Sequence, residues 1–236
     1  MHEMTGKLFA ALRRVDTPTI CNAVEVAMRR RGFDNYTKAQ MCSTPELTEP
    51  IIGFALTAHI RAKSPPAESA ESIRVKRMQY YDYVAGHQRR PSVIVIEDLD
   101  ADAACGAYWG EVNATLHKAF GLKGAITNGV VRDLGALPAD FPILAGSVGV
   151  SHAHVRVVDI AKPVSIFGMS VTPGDLIHAD QHGALVIPAD LLPELPDAID
   201  RLESAESLIL DAARHAENFG FAEFKAAWQR FEDARI

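Results

Sequence analysis

The chain has 236 residues, 48% hydrophobic and 23% charged, which is typical of a globular protein and excludes a disordered or fibrous one. Its net charge of −6 argues against nucleic acid or an anionic membrane as the main partner. No apolar run reaches the ~18 residues of a membrane span, and the N-terminus lacks a signal-peptide core. Three widely spaced cysteines without a CxxC motif favour free thiols. We therefore expect a cytoplasmic protein.

The first two thirds of the chain alternate between predicted helices and apolar strands. Thr17 as N-cap before Pro18 predicts the start of a helix, and Gly32 is predicted to close it. Further helices are predicted over 67–84, 109–120 and 132–137, and strands over 51–61, 92–98, 124–128 and 141–145. This alternation is the signature of a parallel α/β layer.

The pattern then changes. Residues 162–188 read as three strands joined by turns at 173–175 and 181–183, which predicts a β-meander. Residues 190–236 are helical in pattern, with an alanine-rich apolar stripe of the kind that packs on a neighbouring subunit. No repeat or linker interrupts the chain, so we expect a single domain over 1–236 whose C-terminal part is a helical arm.

Arg132 and Asp133 stand side by side just after the strand predicted over 124–128. Binding residues gather at strand ends in α/β sheets, because a rigid scaffold positions the loops there. The planar guanidinium suits a carboxylate or an enolate oxygen, and the aspartate oxygens suit Mg²⁺ or Mn²⁺. Taken alone, the pair is more typical of a helix-start aspartate beside a surface arginine.

Glu111 shifts the interpretation of Arg132 and Asp133 from a surface pair towards a binding site. It follows Gly110 at the start of a predicted helix, and 20 residues separate it from Arg132. One helix and one strand fill that interval in a βαβ layout, so both residues are predicted at one edge of the sheet. The helix start itself presents backbone N–H groups that can hold an anion. The sequence thus predicts two carboxylates, a guanidinium and an anion-binding helix start in one crevice.

The stretch GEVNATLHKAFGLKGAITNGVVRD, residues 110–133, resembles the RraA-like family in its acidic residue, 20-residue gap and Arg-Asp pair. The stretch PGDLIHADQHGALVIP, residues 173–188, resembles the family's PGD turn and V-x-P ending. The family includes the class II, metal-dependent 4-hydroxy-4-methyl-2-oxoglutarate/4-carboxy-4-hydroxy-2-oxoadipate aldolases. The resemblance implies an α/β fold of the swivelling β/β/α type. It also implies a homotrimer or a dimer of trimers with active sites between subunits.

The same resemblance implies roles for individual residues. Asp133 would ligate the metal, Mg²⁺ or Mn²⁺, and Glu111 would hold metal-bound water. Arg132 would contact the keto oxygen of pyruvate and stabilise its enolate. In these aldolases a C-terminal glutamate from the neighbouring chain serves in proton transfer, and Glu206 is its best match.

Substrate binding is implied for the helix start, where Gly110 and the backbone N–H groups near Val112 and Asn113 would receive the substrate carboxylate. The chain departs from the family here, since the aldolases usually carry leucine in place of Asn113. It also has Asn22 where many relatives have aspartate, and its segment 147–162 lacks the usual glycine- and proline-rich loop. These departures affect the expected substrate more than the expected reaction.

For three other groups of side chains, a ligand-binding role is compared with a structural one. His152 and His154 alternate as a metal pair on a strand would, but with no third ligand nearby a solvated or substrate-facing loop is favoured. A turn between strands, in preference to a ligand role, is the interpretation for His178, Asp180 and His182. Helix packing is likewise preferred for Tyr80, Tyr81 and Tyr83.

The predicted function is a divalent-metal-dependent carbon–carbon lyase that cleaves a 4-hydroxy-2-oxo acid to pyruvate and a carbonyl product. Oxaloacetate decarboxylation is expected as a side activity, because it passes through the same enolate. The alternative is a non-enzymatic RraA-like regulator that binds a ribonuclease. The presence of Glu111 favours the enzyme, since family members without the acidic residue lack the full site.

Overall fold

The computed structural model describes residues 2–87, 90–100, 105–215 and 218–235. The chain forms two compact units. Residues Met1–Phe33 and Pro188–Ile236 form the helical unit, and Asp34–Ile187 form the α/β unit. Among the described helices, none combines the length and the apolar character needed to cross a membrane.

The structure has six described helices and thirteen described strands, with short 3₁₀ turns at Leu134–Ala136 and Ala189–Leu191. The helices are α1 His2–Arg14, α2 Thr17–Met28, α3 Ala70–Ala85, α4 Glu111–Ala119, α5 Leu195–His215 and α6 Phe221–Arg235. The strands are β1 Cys42–Thr44, β2 Ile51–Arg61, β3 Ser92–Asp98, β4 Ala107–Trp109, β5 Ala125–Thr127, β6 Val130–Val131, β7 Ile143–Ala145, β8 Ser147–Val148, β9 Arg156–Ile160, β10 Val164–Ile166, β11 Met169–Val171, β12 Leu176–Asp180 and β13 Gly183–Ile187.

A mixed eight-stranded sheet forms the centre of the α/β unit. Its order is β1-β7-β5-β3-β2-β12-β13, and β9 also pairs with the far end of the long strand β2. The pairs β2–β3, β3–β5 and β5–β7 are parallel, whereas β1, β9, β12 and β13 join antiparallel. The predicted parallel α/β layer is present, and the predicted strands over 51–61 and 92–98 are confirmed with those bounds.

The middle of strand β3, residues 93–96, is entirely apolar, and the structure shows why. Successive side chains of a strand point to opposite faces of the sheet. Ile94 and Ile96 accordingly enter one buried cluster, which also contains Trp109 and Phe141. Val93 and Val95 enter a second cluster. Burial on both faces favours hydrophobic side chains at successive positions, and this run over residues 93–96 makes β3 predictable.

Three very short strands, β4, β6 and β8, form a separate parallel sheet. These strands were not predicted, since two or three residues carry no usable periodicity. Trp109 was predicted inside a helix but lies at the end of β4, so α4 begins at Glu111. The predicted meander is also corrected: it contains four strands, of which β10 and β11 pair only with each other and β12 and β13 join the main sheet.

The helical unit contains α1, α2, α5 and α6. The N-cap of α2 is Asp16 rather than the predicted Thr17, because the Asp16 carboxylate accepts the backbone N–H of Thr19 (2.9 Å). The helix ends at Met28, with Arg29 in the left-handed conformation as its C-cap, and not at Gly32 as predicted. Helix α1 was not predicted, whereas the helical character of the C-terminal residues is confirmed. The packing of these residues on a neighbouring subunit stays a prediction.

Candidate active site

The predicted site residues follow two neighbouring strands of the small parallel sheet. Strand β4 pairs with β6, and Trp109 stands opposite Val131. Helix α4 begins at Glu111, two residues after β4 ends, and Arg132 directly follows β6. The backbone N–H of Arg132 donates to the carbonyl of Trp109 (2.9 Å). The two segments therefore leave the sheet side by side, at the edge where parallel strands end together.

Asp133 adopts the left-handed conformation, with φ 59° and ψ 38°. Aspartate and asparagine tolerate this region better than most residues. The turn brings its carboxylate to the start of α4, where Oδ2 accepts the backbone N–H of Glu111 (3.2 Å). The N-cap residue of α4 is Gly110, which has no capping side chain. Asp133 thus binds the start of a helix distant in sequence, and it is also the N-cap residue of the 3₁₀ turn Leu134–Ala136, which is the local helix-start role that the dipeptide alone suggested.

Gly110 allows Asp133 and Arg132 to lie this close to α4. A Cβ atom on Gly110 would lie 2.5 Å from Asp133 Oδ2 and 3.2 Å from both Cγ and Nε of Arg132. The backbone of Gly110 is extended, with φ −160°, a conformation open to any residue. The need for glycine here is therefore one of space and not of backbone conformation.

The first turn of α4 offers backbone donors next to these side chains. The first N–H groups of a helix have no intrahelical acceptor, and here the N–H of Glu111 is taken by Asp133. The N–H groups of Val112 and Asn113 belong to the same turn, and Val112 is 72% exposed. These N–H groups and the positive end of the helix dipole can receive an anion beside Arg132.

The carboxylates at this corner fit a hydrated divalent cation. Both contacts of the Asp133 carboxylate with described residues use Oδ2: the N–H of Glu111, and Nε of Arg132 at 3.6 Å. Glu111 is exposed. Mg²⁺ usually keeps several waters and binds proteins through one or two carboxylates, which this donor set can supply. Within the described residues no three His, Cys, Asp or Glu side chains group as metal ligands.

A cavity of about 270 Å³ adjoins the corner. Gly110, Val112, Asn113 and Arg132 line it, together with side chains of α3 and of residues 155–157. This volume lies just below the ~300–1,000 Å³ typical of small-molecule sites, so it suits a compact metabolite.

Asn113 is held in the cavity wall by two hydrogen bonds. Its Oδ1 accepts the Tyr81 hydroxyl (2.7 Å), and its Nδ2 donates to the carbonyl of Tyr108 (2.5 Å). Tyr81 was predicted to be a packing residue and also lines the cavity. The side chain that replaces the family's usual leucine is therefore a fixed polar group at the cavity.

Beneath the first turn of α4, Tyr80 and His117 form a fully buried pair. The Tyr80 hydroxyl lies 2.6 Å from His117 Nε2, and His117 Nδ1 lies 2.6 Å from the carbonyl of Asn113. Because a carbonyl can only accept, Nδ1 carries the proton and Nε2 accepts from Tyr80. Burial lowers the pKa of His117 from 6.5 to about 4, so the ring is neutral at pH 7.

Three of the four residues predicted for catalysis or metal binding lie in the α/β unit, and the fourth lies in the helical unit. Glu111, Arg132 and Asp133 meet at the corner of the α/β unit. Glu206 lies half-buried on α5 of the helical unit. The roles assigned to all four residues stay predictions.

Sequence reasoning missed the cavity's contributions from other elements. Arg77 on α3 and Arg156 at the start of β9 both line the cavity with Arg132. Neither belongs to a recognisable motif, and the short strand β9 was not predicted. Their convergence depends on tertiary packing, so no local signal could have found it.

The two other histidine groups do not form a ligand cluster with described residues. His152 and His154 are exposed in the loop before β9 and have no third metal-ligating side chain from the described part of the chain. Asp180 accepts from the backbone N–H of His182 (2.8 Å) at the turn between β12 and β13. This agrees with the turn role predicted for that group.

Comparison with known proteins gives concordant matches. The sequence profile of the RraA-like family, described as Aldolase/RraA, matches residues 17–186. Protein DlpA of Legionella pneumophila is 30% identical over 165 residues, which cover 69% of this chain and 25% of that protein. A Halalkalibacterium halodurans protein named "Putative 4-hydroxy-4-methyl-2-oxoglutarate aldolase" is 27% identical over 129 residues, 54% of this chain and 58% of that protein. The chain thus spans less than two thirds of the length of these curated relatives.

Solved structures show the same fold. The Streptomyces coelicolor protein RraAS2, described as an unusual member of the RNase ES inhibitor RraA protein family, aligns with a TM-score of 0.67 at 22% identity. That alignment covers 89% of this chain and 97% of that one. An uncharacterized protein from Pseudomonas syringae gives a TM-score of 0.68 at 19% identity over 97% of this chain and 94% of that one. The predicted fold class is confirmed. Because the family profile covers well over half of its residues, the chain belongs to the RraA-like family.

Proposed function

We propose that the protein is a divalent-metal-dependent carbon–carbon lyase that cleaves a 4-hydroxy-2-oxo acid to pyruvate and a carbonyl compound. The observation that carries the proposal is the corner where Arg132, Asp133 and the first turn of α4 meet beside a small cavity. Further support comes from the Halalkalibacterium relative named for this kind of aldolase. Oxaloacetate decarboxylation is a proposed side activity, because it leaves the same enolate.

Asp133 would hold the cation directly, and Glu111 would hold it through water. When bound, a Mg²⁺ or Mn²⁺ ion supplies Lewis-acid stabilisation of negative charge on the keto oxygen. The left-handed turn at Asp133 and its hydrogen bond to the start of α4 fix the carboxylate before a ligand arrives. A preorganised carboxylate of this kind avoids reorganisation during the reaction.

Arg132 and the start of α4 would bind the two ends of the 2-oxo acid head. The backbone N–H groups of Val112 and Asn113 receive its carboxylate, as helix N-termini do for anions. The Arg132 guanidinium faces the keto oxygen, where negative charge develops as the bond breaks. The arginine ion pair with Asp133 is long, at 3.6 Å between Nε and Oδ2, and both side chains are over one third exposed. The guanidinium therefore keeps donors for a substrate.

The proposed reaction needs a base and an acid. The 4-hydroxyl group would lose its proton to the water held by Glu111, the C3–C4 bond would break, and the electron pair of that bond would become the enolate of pyruvate. That enolate then takes a proton at C3. Glu206 of a neighbouring subunit is the proposed group for this transfer, in a homotrimer or a dimer of trimers.

The proposal is tested by incubating the purified protein with Mg²⁺ or Mn²⁺ and a 4-hydroxy-2-oxo acid, and separately with oxaloacetate. Pyruvate should be released, and EDTA should abolish its release. Asp133→Asn should lower kcat/KM by at least about a hundredfold. Its thermal stability should be retained, because asparagine tolerates the left-handed backbone. Asp140→Asn, which changes an exposed aspartate paired with Lys118, is the matched control and should keep full activity.

Activity that survives EDTA or Asp133→Asn would contradict the metal assignment. The alternative proposal, a regulator that binds a ribonuclease, draws on the structural likeness to RraAS2. It predicts no pyruvate release from any 2-oxo acid, together with saturable inhibition of a ribonuclease that Asp133→Asn leaves unchanged. The two proposals therefore give opposite results with the same variant.

A further inference from the structure

A cleft of about 730 Å³ lies within the helical unit, among residues that the proposed reaction does not use. Four arginines line it, and they are Arg29, Arg30 and Arg31 just after α2 and Arg201 on α5. Trp228 on α6 lines it as well. These five residues define the arginine–tryptophan cleft. Its volume falls within the ~300–1,000 Å³ typical of small-molecule sites.

The four guanidinium groups of the cleft have no ion-pair partner among the described residues. The acidic side chains that line the cleft are Glu25, Glu232 and Asp233. Two of these are engaged by other groups: Glu25 accepts the backbone N–H of Gly32 (2.8 Å), and Asp233 accepts Nε2 of Gln229 (3.0 Å). Positive groups thus outnumber negative ones, which suits the cleft to an anion.

The turn that carries the three consecutive arginines is fixed by its backbone. Arg29 is left-handed, with φ 54°, and its N–H donates to the carbonyl of Val26 (3.1 Å). The N–H of Arg30 donates to the carbonyl of Glu25 (3.2 Å). Cations that follow a helix are favoured by its dipole, which explains the triplet structurally. That explanation does not cover Arg201, which reaches the same cleft from another helix.

Trp228 offers aromatic surface to the same cleft. The residue is 41% exposed, and its ring centroid lies 5.5 Å from that of Phe231, which also lines the cleft. Nucleic-acid bases stack on aromatic side chains of this kind. Arginine guanidinium groups bind phosphates through paired N–H donors. A nucleoside polyphosphate combines a flat base and several phosphates in one molecule, so it matches both parts of the cleft.

We propose that the arginine–tryptophan cleft binds a nucleoside polyphosphate, with the phosphates on the four arginines and the base on Trp228. The inference does not rest on the proposed lyase activity, because none of the described residues that line the cleft takes part in it. The match to the RraA-like profile ends at residue 186, and α5 and α6 lie beyond it. Membership of the family therefore does not account for this site.

Titration calorimetry with ATP tests the proposal, in EDTA so that no divalent cation contributes. ATP should bind the unmodified protein at least about tenfold more tightly than inorganic triphosphate, which lacks the base, because stacking on one aromatic side chain contributes about this factor. ATP should also bind at least about tenfold more tightly than adenosine, which lacks the phosphates.

Trp228→Leu tests the contact with the base. It should weaken ATP binding about tenfold and change triphosphate binding less than about twofold, because leucine keeps apolar volume but has no aromatic face. Phe221→Leu is the matched control. Phe221 is 79% exposed on the same helix and is not among the described lining residues, so this variant should keep the full affinity for ATP.

Arg201→Met tests the contact with the phosphates. It should weaken the binding of ATP and of triphosphate about tenfold alike. Arg230→Met is the matched control, since Arg230 is exposed on α6 and is not among the described lining residues. Arg132→Met is a second control, because the start of α4 can also receive an anion. Both controls should bind ATP as the unmodified protein does.

Several results would overturn the proposal. They are no ATP binding, ATP binding no tighter than that of triphosphate or adenosine, and ATP binding that Trp228→Leu and Arg201→Met both retain. ATP binding that is lost in Arg132→Met and kept in Arg201→Met would assign the nucleotide to the start of α4 instead. A single-stranded RNA oligonucleotide that binds through Arg201 and Trp228 while ATP does not bind would make the cleft a nucleic-acid site. Each result is obtained from binding alone, so a failure of the proposed lyase leaves this test unaffected.

Discussion

Helix α4 takes part in two polar clusters, and these clusters are organised in opposite ways. At its N-terminus, Glu111, Arg132 and Asp133 are partly exposed, and their contacts are few and long. One turn further on, His117 is fully buried and both ring nitrogens are hydrogen-bonded. The two clusters thus differ in how far protein groups fill their hydrogen-bonding capacity.

The difference indicates that the exposed cluster serves ligand binding and that the buried pair serves stability. A satisfied buried pair contributes to folding and is costly to disrupt, because each partner left alone remains desolvated. An exposed cluster held by backbone geometry contributes little to folding, yet its donors and acceptors stay available. We therefore expect changes at the start of α4 to affect activity and changes at His117 to affect stability.

The largest effect is expected for Gly110→Ala. The new methyl group would stand 2.5 Å from Asp133 Oδ2, so the carboxylate and Arg132 must move. A displacement of about 1 Å at reacting groups commonly lowers activity about a hundredfold. We expect kcat/KM for pyruvate release to fall by at least about that factor, with the folded state retained.

Gly135→Ala is the control for that substitution. Gly135 lies two residues after Asp133, and a Cβ added there meets nothing within 4 Å. It should leave both activity and thermal stability close to those of the unmodified protein. Equal losses in the two variants would show that the close approach at Gly110 has no special part in the site.

His117→Gln is expected to act on stability instead. The pKa of His117 is about 4 in the folded protein and about 6.5 in the unfolded chain. A lowered pKa stabilises the fold fully above pH 6.5, and this stabilisation is lost as the pH falls towards 4. Between pH 6.5 and 5 the loss amounts to roughly 2 kcal/mol.

Urea unfolding at pH 7 and pH 5 measures this effect. The variant should be about 2 kcal/mol less stable than the unmodified protein at pH 7 and nearly equal to it at pH 5. His154→Gln, at an exposed position, should track the unmodified protein at both pH values. A His117→Gln deficit that is the same at both pH values would show that the neutral ring is not the cause. Pyruvate release at pH 7 should change little, because His117 does not line the cavity.

The fold was predictable where the sequence repeats a pattern over several residues. Strands β2 and β3 have 11 and 7 residues and are mostly buried, so their composition alone reveals them. Strands β4 and β6 have 3 and 2 residues, and their existence depends on pairing between distant segments. No local preference encodes such pairing, which is why Trp109 was placed in a helix.

The features of the candidate site likewise divide into those that the sequence predicts and those that depend on tertiary structure. Glu111, Arg132 and Asp133 were predicted together, because their spacing in the chain matches one helix and one strand. The capping of α4 by Asp133 was not predicted, since it depends on the left-handed turn and on the space at Gly110. Arg77 and Arg156 were missed because they reach the cavity from α3 and β9.

The smallest effect on stability is expected for a substitution of Asp98, whose carboxylate is only partly hydrogen-bonded. This carboxylate at the end of β3 is 2% exposed. Its Oδ1 accepts the backbone N–H of Asp100 (2.9 Å), whereas Oδ2 has no hydrogen-bond partner among the described residues. Burial raises the pKa of Asp98 above its ordinary value. Asp98 is thus buried like His117, but its hydrogen bonds are incomplete like those of the cluster at the start of α4.

A raised pKa means that the folded state prefers the protonated acid. Ionisation of Asp98 therefore reduces stability as the pH rises from about 4 through the folded-state pKa. Asp98→Asn keeps an acceptor for Asp100 and removes the charge. Relative to the unmodified protein, the variant should gain stability between pH 4 and pH 7 in urea unfolding. A relative stability that falls over this range would mean that the ionised carboxylate is better paired than its burial suggests, and Asp98 would then belong with His117 as a satisfied group.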